Sequence, residues 1–310
     1  MTAKDWNVYI DEFGDYLRLE RSLSDNSLKA YLSDIDKLQQ FADLSDWDVS
    51  PLQVERKHLL AFLEYIYNLG MTPASQARIL AGVKAFYKFL LYRELIEKDP
   101  SLLLEGPKID RKLPDTLSFP EVEQILSAID LSSNEGIRNR AIVETLYSSG
   151  MRVTELTELR ISNLYTDIGF IRIIGKGNKE RIVPVGQDAL KYIQMYTEHV
   201  RRHLDIEAGQ ENYLFLNRRG SKLSRVMIFN IVRDAAEQAG ITKKVSPHTF
   251  RHSFATHLVE GGANLRAVQD MLGHVSITTT EIYTHLDRDY LRQVITEFHP
   301  RSKRPIQFND

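Results

Sequence analysis

Residues 246–257 read Ser246-Pro247-His248-Thr249-Phe250-Arg251-His252-Ser253-Phe254-Ala255-Thr256-His257. Serine followed by proline marks a helix start: the hydroxyl takes the N-cap, and proline lacks an amide proton that would go unpaired in the first turn. His248 and Arg251 then share one side of that turn, and a helix start favours anions because its first amide protons have no helical partner. His-x-x-Arg occurs three times in the chain, at His199/Arg202, His248/Arg251 and His285/Arg288, and only the middle copy has this setting. His199 lies in a polar helix beside Arg201 and His203, as on a solvated face. His248 and His252 are also spaced as a metal pair would be, with His257 one turn further on. No carboxylate follows His248, however, and Arg251 places a cation between the would-be ligands, so no metal is expected.

Outward from this helix the patterning stays mainly helical. Gly240, Gly261 and Gly262 read as helix stops, and Tyr213 to Leu216 reads as a short strand. Phe170 to Ile174 and Arg181 to Val185 predict a hairpin whose turn, Gly175 to Glu180, is basic and glycine-rich. A helix from about Glu135 to Tyr147 stops at Gly150, and Ser118 with Glu121 forms a capping-box pattern. Pro100, Gly106, Pro107 and Pro114 then mark a break in periodicity. Before it, apolar residues recur at spacings of three and four in four stretches: Trp6 to Leu17, Leu28 to Phe41, Leu59 to Tyr67, and Ile79 to Leu90 behind Pro73. The expected fold is therefore mainly α: a four-helix bundle over 1–106, a linker over 107–116, and a mixed domain over 117–310 with a small antiparallel sheet.

Composition bounds the function. A chain of 310 residues with 43% hydrophobic and 26% charged residues suits two globular domains. It has no cysteine, which removes disulfides, thiolate nucleophiles and cysteine-bearing metal sites and suits a cytoplasmic setting. No apolar run approaches the ~18 residues of a membrane span, and no secretory signal opens the chain. The net charge of −2 argues against a uniformly basic nucleic-acid binder. The total conceals a division, because 1–106 hold 12 Lys+Arg against 17 Asp+Glu and 107–310 hold 28 against 25.

Three further segments carry chemistry-bearing residues. Gly150-Met151-Arg152-Val153-Thr154-Glu155 opens a helix with an arginine that Glu155 can orient from three residues on. Gly175-Lys176-Gly177 sets a lysine in the hairpin turn. Leu272-Gly273-His274 and Tyr283-Thr284-His285 place a histidine and a tyrosine in one short stretch. Together these residues suit phosphodiester transfer. Two guanidiniums can take the extra charge of the transition state without a metal, a neutral histidine can accept a tyrosine's proton, and a lysine can protonate the departing 5′-oxygen. A phosphotyrosine link would keep the bond energy for resealing without ATP, and the chain has no Gly-x-x-x-x-Gly-Lys-Ser/Thr loop.

With these segments in order, the whole chain resembles the tyrosine recombinases of the phage-integrase family, most closely the bacterial Xer recombinases. The resemblance implies a SAM-like N-terminal bundle that binds DNA and a tyrosine recombinase catalytic domain. It implies Tyr283 as the nucleophile forming a 3′-phosphotyrosyl link, Arg152 and Arg251 on the scissile phosphate, and Lys176 as the acid toward the 5′-hydroxyl. His248 would accept the proton or bind phosphate, His274 would donate to phosphate, and Glu155 would support Arg152; no cofactor is implied. Lys108, Arg111 and Lys112 would follow the linker across DNA, and Arg218, Arg219, Lys222 and Arg225 form a second basic cluster for DNA contact. Tyr290, Leu291, Val294, Ile295 and Phe298 would line an exchange tail that enters a neighbouring protomer.

The implied partners are a double-stranded recombination site, further recombinase subunits in either a homo-tetramer or a hetero-tetramer with a paralogous recombinase, and a septal DNA translocase of the FtsK type. The expected role is resolution of chromosome dimers. A mobile-element integrase or invertase and a type IB topoisomerase share the chemistry, but the first helix is expected near residue 4, without an arm-binding domain ahead of it, and the tail beyond Tyr283 does not fit a topoisomerase. A non-catalytic DNA-binding protein would have no use for Tyr283.

Overall fold

The computed structural model describes residues 6–45, 47, 49–108, 115–175, 180–273 and 285–303. The chain divides into two compact units, Met1–Lys112 and Leu113–Asp310, each with its own hydrophobic core.

The first unit holds the four expected helices: α1 (Trp6–Asp15), α2 (Asp25–Leu44), α3 (Arg56–Asn68) and α4 (Pro73–Tyr92). Each buries one apolar stripe, and the seam is aromatic: Phe13 meets Phe86 and Phe89 at 5.4 Å between ring centroids, and Trp6 stacks on Phe86. Thr72 caps α4 by accepting from the Ser75 amide, with Pro73 in the first turn. The first apolar stripe does not stay α-helical to Leu17. It widens into a π-helical turn over Tyr16–Glu20 that keeps Leu17 buried and lays Tyr16 against Phe89.

In the second unit, α5 (Phe119–Ala128) starts from the Ser118/Glu121 capping box, and α6 (Asn134–Ser149) ends at Gly150, whose φ of +57° provides the left-handed cap. A five-residue helix α7 (Val153–Thr157) leads to a three-stranded antiparallel sheet of β1 (Leu164–Tyr165), β2 (Phe170–Ile174) and β3 (Glu180–Pro184), in that order. Helices α8 (Gln187–His199), α9 (Arg225–Gln238), α10 (Pro247–Glu260), α11 (Leu265–Leu272) and α12 (His285–Phe298) complete it. The central α6 is packed on by α8 and α10, and nearly all of its second half is buried.

The structure corrects two expectations. The second strand begins at Glu180, because pairing runs from Ile174↔Glu180 to Phe170↔Pro184, and β1 was not anticipated. Tyr213 to Leu216 is no strand: it makes isolated bridges to Arg160 and Lys222, and side chains take the positions a ladder would use. Arg201 donates to the Tyr213 carbonyl, and the Leu216 amide donates to the Tyr196 hydroxyl at 3.1 Å. In this single chain, the apolar stripe that the family resemblance assigns to an exchange tail packs on its own domain. Leu291, Val294 and Ile295 of α12 are buried in the domain's own core, on a helix packed against α10 and β3, while Tyr290 alone of the stripe is exposed. Beyond α12, His299 is buried against Tyr147 and Phe254, and Arg301 pairs with Glu123, Glu144 and Asp188.

Candidate active site

Two turns and two helix ends build the site. Gly150 closes α6 in the left-handed conformation, and the chain turns so that Arg152 becomes the N-cap of α7. Glu155, three residues on, accepts from the Arg152 amide through Oε2 at 2.6 Å and from Arg152 Nη1 through Oε1 at 3.0 Å. The carboxylate thus satisfies the helix start and fixes the guanidinium beside it. Arg152 remains 37% exposed on its side chain, so the guanidinium can be reached from outside.

Arg251 comes to the same place from α10. Ser246 caps that helix by accepting from the Thr249 amide, Pro247 occupies the first turn, and His248 sits exposed in that turn while Arg251 is 8% exposed. Arg251 donates through Nη1 to the Gly150 carbonyl at 2.7 Å and through Nη2 to the Leu272 carbonyl at 2.6 Å. Gly150 is needed here, since a Cβ on it would lie 2.4 Å from the Phe254 ring, one turn along α10. Burial first, and then the nearby Arg152 and Arg181 cations, lower the Arg251 pKa to about 10 against the pull of Glu155. Two guanidiniums that repel each other around one carboxylate form a site suited to an added anion.

Besides Arg152, the Glu155 carboxylate has a second partner that sequence patterning missed. Arg181 on β3 donates through Nη1 and Nη2 to Oε1 and Oε2 of Glu155, both at 2.8 Å, and through Nε to the Met271 carbonyl at 2.8 Å. A signal was available. Arg181 stands in phase with Val183, on the face of β3 that is buried, and an arginine on a core face needs a buried partner. Burial pushes the Glu155 carboxyl up, and the hydrogen bonds and charge of Arg181, with the bonds from Arg152, more than reverse it, leaving the pKa below the ordinary value.

Other expected positions are distributed differently. Lys176, His274, Tyr283, Arg111 and Lys112 lie outside the described residues. Of the basic cluster, Arg225 reaches the site's edge: with Val153, Val226, Phe229, Ser246, Pro247 and His248 it lines an open cleft of about 420 Å³. Arg218 and Arg219 are exposed on a separate turn, and Lys108 is exposed near the end of the first unit. Lys222 pairs with Glu158 at 2.6 Å and lies over the Tyr213 ring. Of the three histidines with metal-like spacing, His257 is hydrogen-bonded to the Tyr147 hydroxyl at 2.8 Å, and His252 is exposed.

The profile of the phage integrase family matches residues 115–289, and that of the phage integrase N-terminal SAM-like domain matches residues 10–94. A tyrosine recombinase XerD from Staphylococcus epidermidis is 41% identical over 297 residues, covering 96% of this chain and all of that protein. One from Chlorobaculum tepidum is 42% identical over 299 residues, 96% of this chain and 97% of its own. The chain belongs to the phage integrase family.

As an integrase-family protein it is a tyrosine site-specific recombinase. The two profile matches fall one in each compact unit, so the acidic bundle and the arginine-bearing domain are both family elements. A solved XerH recombinase bound to its palindromic difH substrate has the same fold, with a TM-score of 0.70 at 24% identity, covering 93% of this chain and 84% of that one. No helix among the described residues of this integrase-family chain is long and apolar enough to cross a membrane.

Proposed function

We propose that this recombinase cleaves and rejoins DNA strands at one recombination site through a 3′-phosphotyrosyl intermediate, and that it resolves chromosome dimers in the cytoplasm as cells divide. The observation that carries the chemistry is that Arg152, held by Glu155, and Arg251 lie within electrostatic reach of each other, one guanidinium partly exposed and the other buried. In this scheme both arginines bind the non-bridging oxygens of the scissile phosphate, and the charge that gathers there in the transition state meets fixed cations. The Tyr283 oxygen attacks phosphorus as its proton passes to His248. The bond from phosphorus to the 5′-oxygen breaks as Lys176 protonates that oxygen, while His274 donates to the phosphate. The free 5′-hydroxyl of a second strand then reverses these steps and reseals the backbone.

The dimer-resolving role is supported by full-length relatives named XerD at about two-fifths identity. The working assembly in this proposal is a tetramer on two DNA sites, with a paralogue and a septal translocase as further partners; a lambda integrase of like fold is solved as a tetramer on a Holliday junction. Lys108, Arg111, Lys112, Arg218, Arg219 and Arg225 would supply phosphate contacts around the duplex.

The test uses a nicked suicide duplex carrying the site. Wild-type protein should form a covalent adduct that survives denaturing electrophoresis, and Tyr283→Phe should form none. Adduct from the Phe variant at wild-type yield would overturn the nucleophile assignment. Sequencing DNA trapped in such adducts in cells should return one chromosomal locus; scattered or plasmid-borne loci would overturn the dimer-resolving role.

A further inference from the structure

We propose that Arg181 is a positioning residue that couples the two phosphate-binding arginines, by tying the carboxylate that orients Arg152 to the helix end that holds Arg251. The inference rests on the roles proposed above for Arg152 and Arg251.

The connection runs through few atoms. On one side, Arg181 faces Glu155 with both terminal nitrogens, so the carboxylate receives four hydrogen bonds, two from Arg181 and two from Arg152. Such a carboxylate has no spare lone-pair direction, and its plane is set by the rigid fork of the Arg181 guanidinium. On the other side, Arg181 Nε binds the Met271 carbonyl, and the next carbonyl, that of Leu272, binds Arg251. Both carbonyls belong to the last turn of α11, where helix carbonyls lack helical partners and the dipole is negative, so two guanidiniums are suitable caps.

Gly273 ends α11 at φ +66°, and a Cβ there would lie 3.2 Å from Arg181 Cδ and 3.4 Å from its Nε and Nη1. The guanidinium is therefore packed against the helix cap, and the cap leads directly to the segment carrying His274. Arg181 has two rigid anchors of its own. Its backbone pairs with Ile173 across the sheet, and its side chain is 7% exposed. A lysine at this position would keep the charge but lose the fork, since one ammonium cannot hold both carboxylate oxygens in plane and the Met271 carbonyl together.

The experiment measures site-DNA affinity and the single-turnover rate of adduct formation for Arg181→Lys, alone and combined with Arg152→Ala. Affinity should match wild type while the adduct rate falls about 10- to 100-fold, as for partners that orient reacting groups from outside the site. In the Arg152→Ala background the added loss should shrink to less than about 3-fold, because Arg181 acts partly through Arg152. A residue needed only for folding would cost the same in both backgrounds, and that result would overturn the proposal. Should Arg181→Lys fail to fold, Gly273→Ala crowds the same guanidinium without changing any charge and is held to the same two results. An Arg152→Ala protein cleaving as fast as wild type overturns the phosphate-clamp roles themselves. A crippled Arg152→Ala beside a fully active Arg181→Lys overturns only the role given to Arg181.

Discussion

Arg181 and Glu155 meet through two parallel hydrogen bonds of 2.8 Å, with both side chains almost wholly buried. Buried ion pairs add little net stability, because desolvating both charges offsets most of their attraction. Their effect is geometric: the pair holds a carboxylate in one plane beneath Arg152, on the border between β3, α7 and the end of α11.

Replacing either Arg152 or Arg251 by alanine should lower adduct formation about 10²–10³-fold, the usual loss for one transition-state donor. The rate is read on the suicide duplex at saturating enzyme, so that weaker binding does not enter. The same assay in EDTA should run at the wild-type rate, since the guanidiniums supply the charge that a metal would; full loss would restore a metal to the mechanism.

Gly150→Ala should cost about 2–4 kcal/mol, combining a left-handed backbone position with overpacking in a filled core. The added Cβ would lie 2.4 Å from Phe254, and relieving that contact moves the carbonyl that binds Arg251. Urea unfolding measures the first effect and adduct formation the second; both should fall.

His299 gives a pH dependence of stability. Its pKa is lowered to about 3, first by burial and then by His257, while its ring lies between Tyr147 and Phe254 near Arg301. The folded protein keeps this ring neutral, and the unfolded chain protonates it below about pH 6.5. Its contribution is therefore complete above that pH and is lost as pH falls toward 3. Between pH 7.5 and pH 5 the wild type should lose roughly 1–2 kcal/mol more than His299→Phe in denaturant unfolding. Equal losses would show that the ring does not govern the slope.

Arg301→Ala should destabilise the second unit by about 3 kcal/mol, since it withdraws a cation from Glu144, whose carboxyl is buried. Arg140 remains on Glu144 at 3.1 Å, so the fold should persist with a lowered melting temperature. Asp188 stands 3.1 Å from Arg301 without hydrogen-bond geometry, and Asp188→Asn should cost much less.

Much of this arrangement was legible along the chain because its causes are local. Ser246-Pro247 dictates a helix start, and the structure begins α10 there; Gly150 dictates a left-handed stop, and α6 ends on it. Arg152 and Glu155 are three residues apart, within reach of each other by helix geometry alone. The strand read at Tyr213 to Leu216 failed because its apolar composition reports burial, while ladder formation depends on partners such as Arg201 and Tyr196 that arrive from elsewhere.

By itself, then, the sequence determined the helices, their caps, the two-part organisation and which residue types could manage a phosphodiester. The tertiary structure alone decided that α12 spends its apolar stripe inside its own domain, that Lys222 is matched by Glu158, and that Arg181 joins Glu155 to the end of α11. The physical reason is range. Backbone capping and helical period act over three or four residues, whereas a buried charge is stable only where the fold brings its partners, which here lie 26 and 90 residues away in the chain.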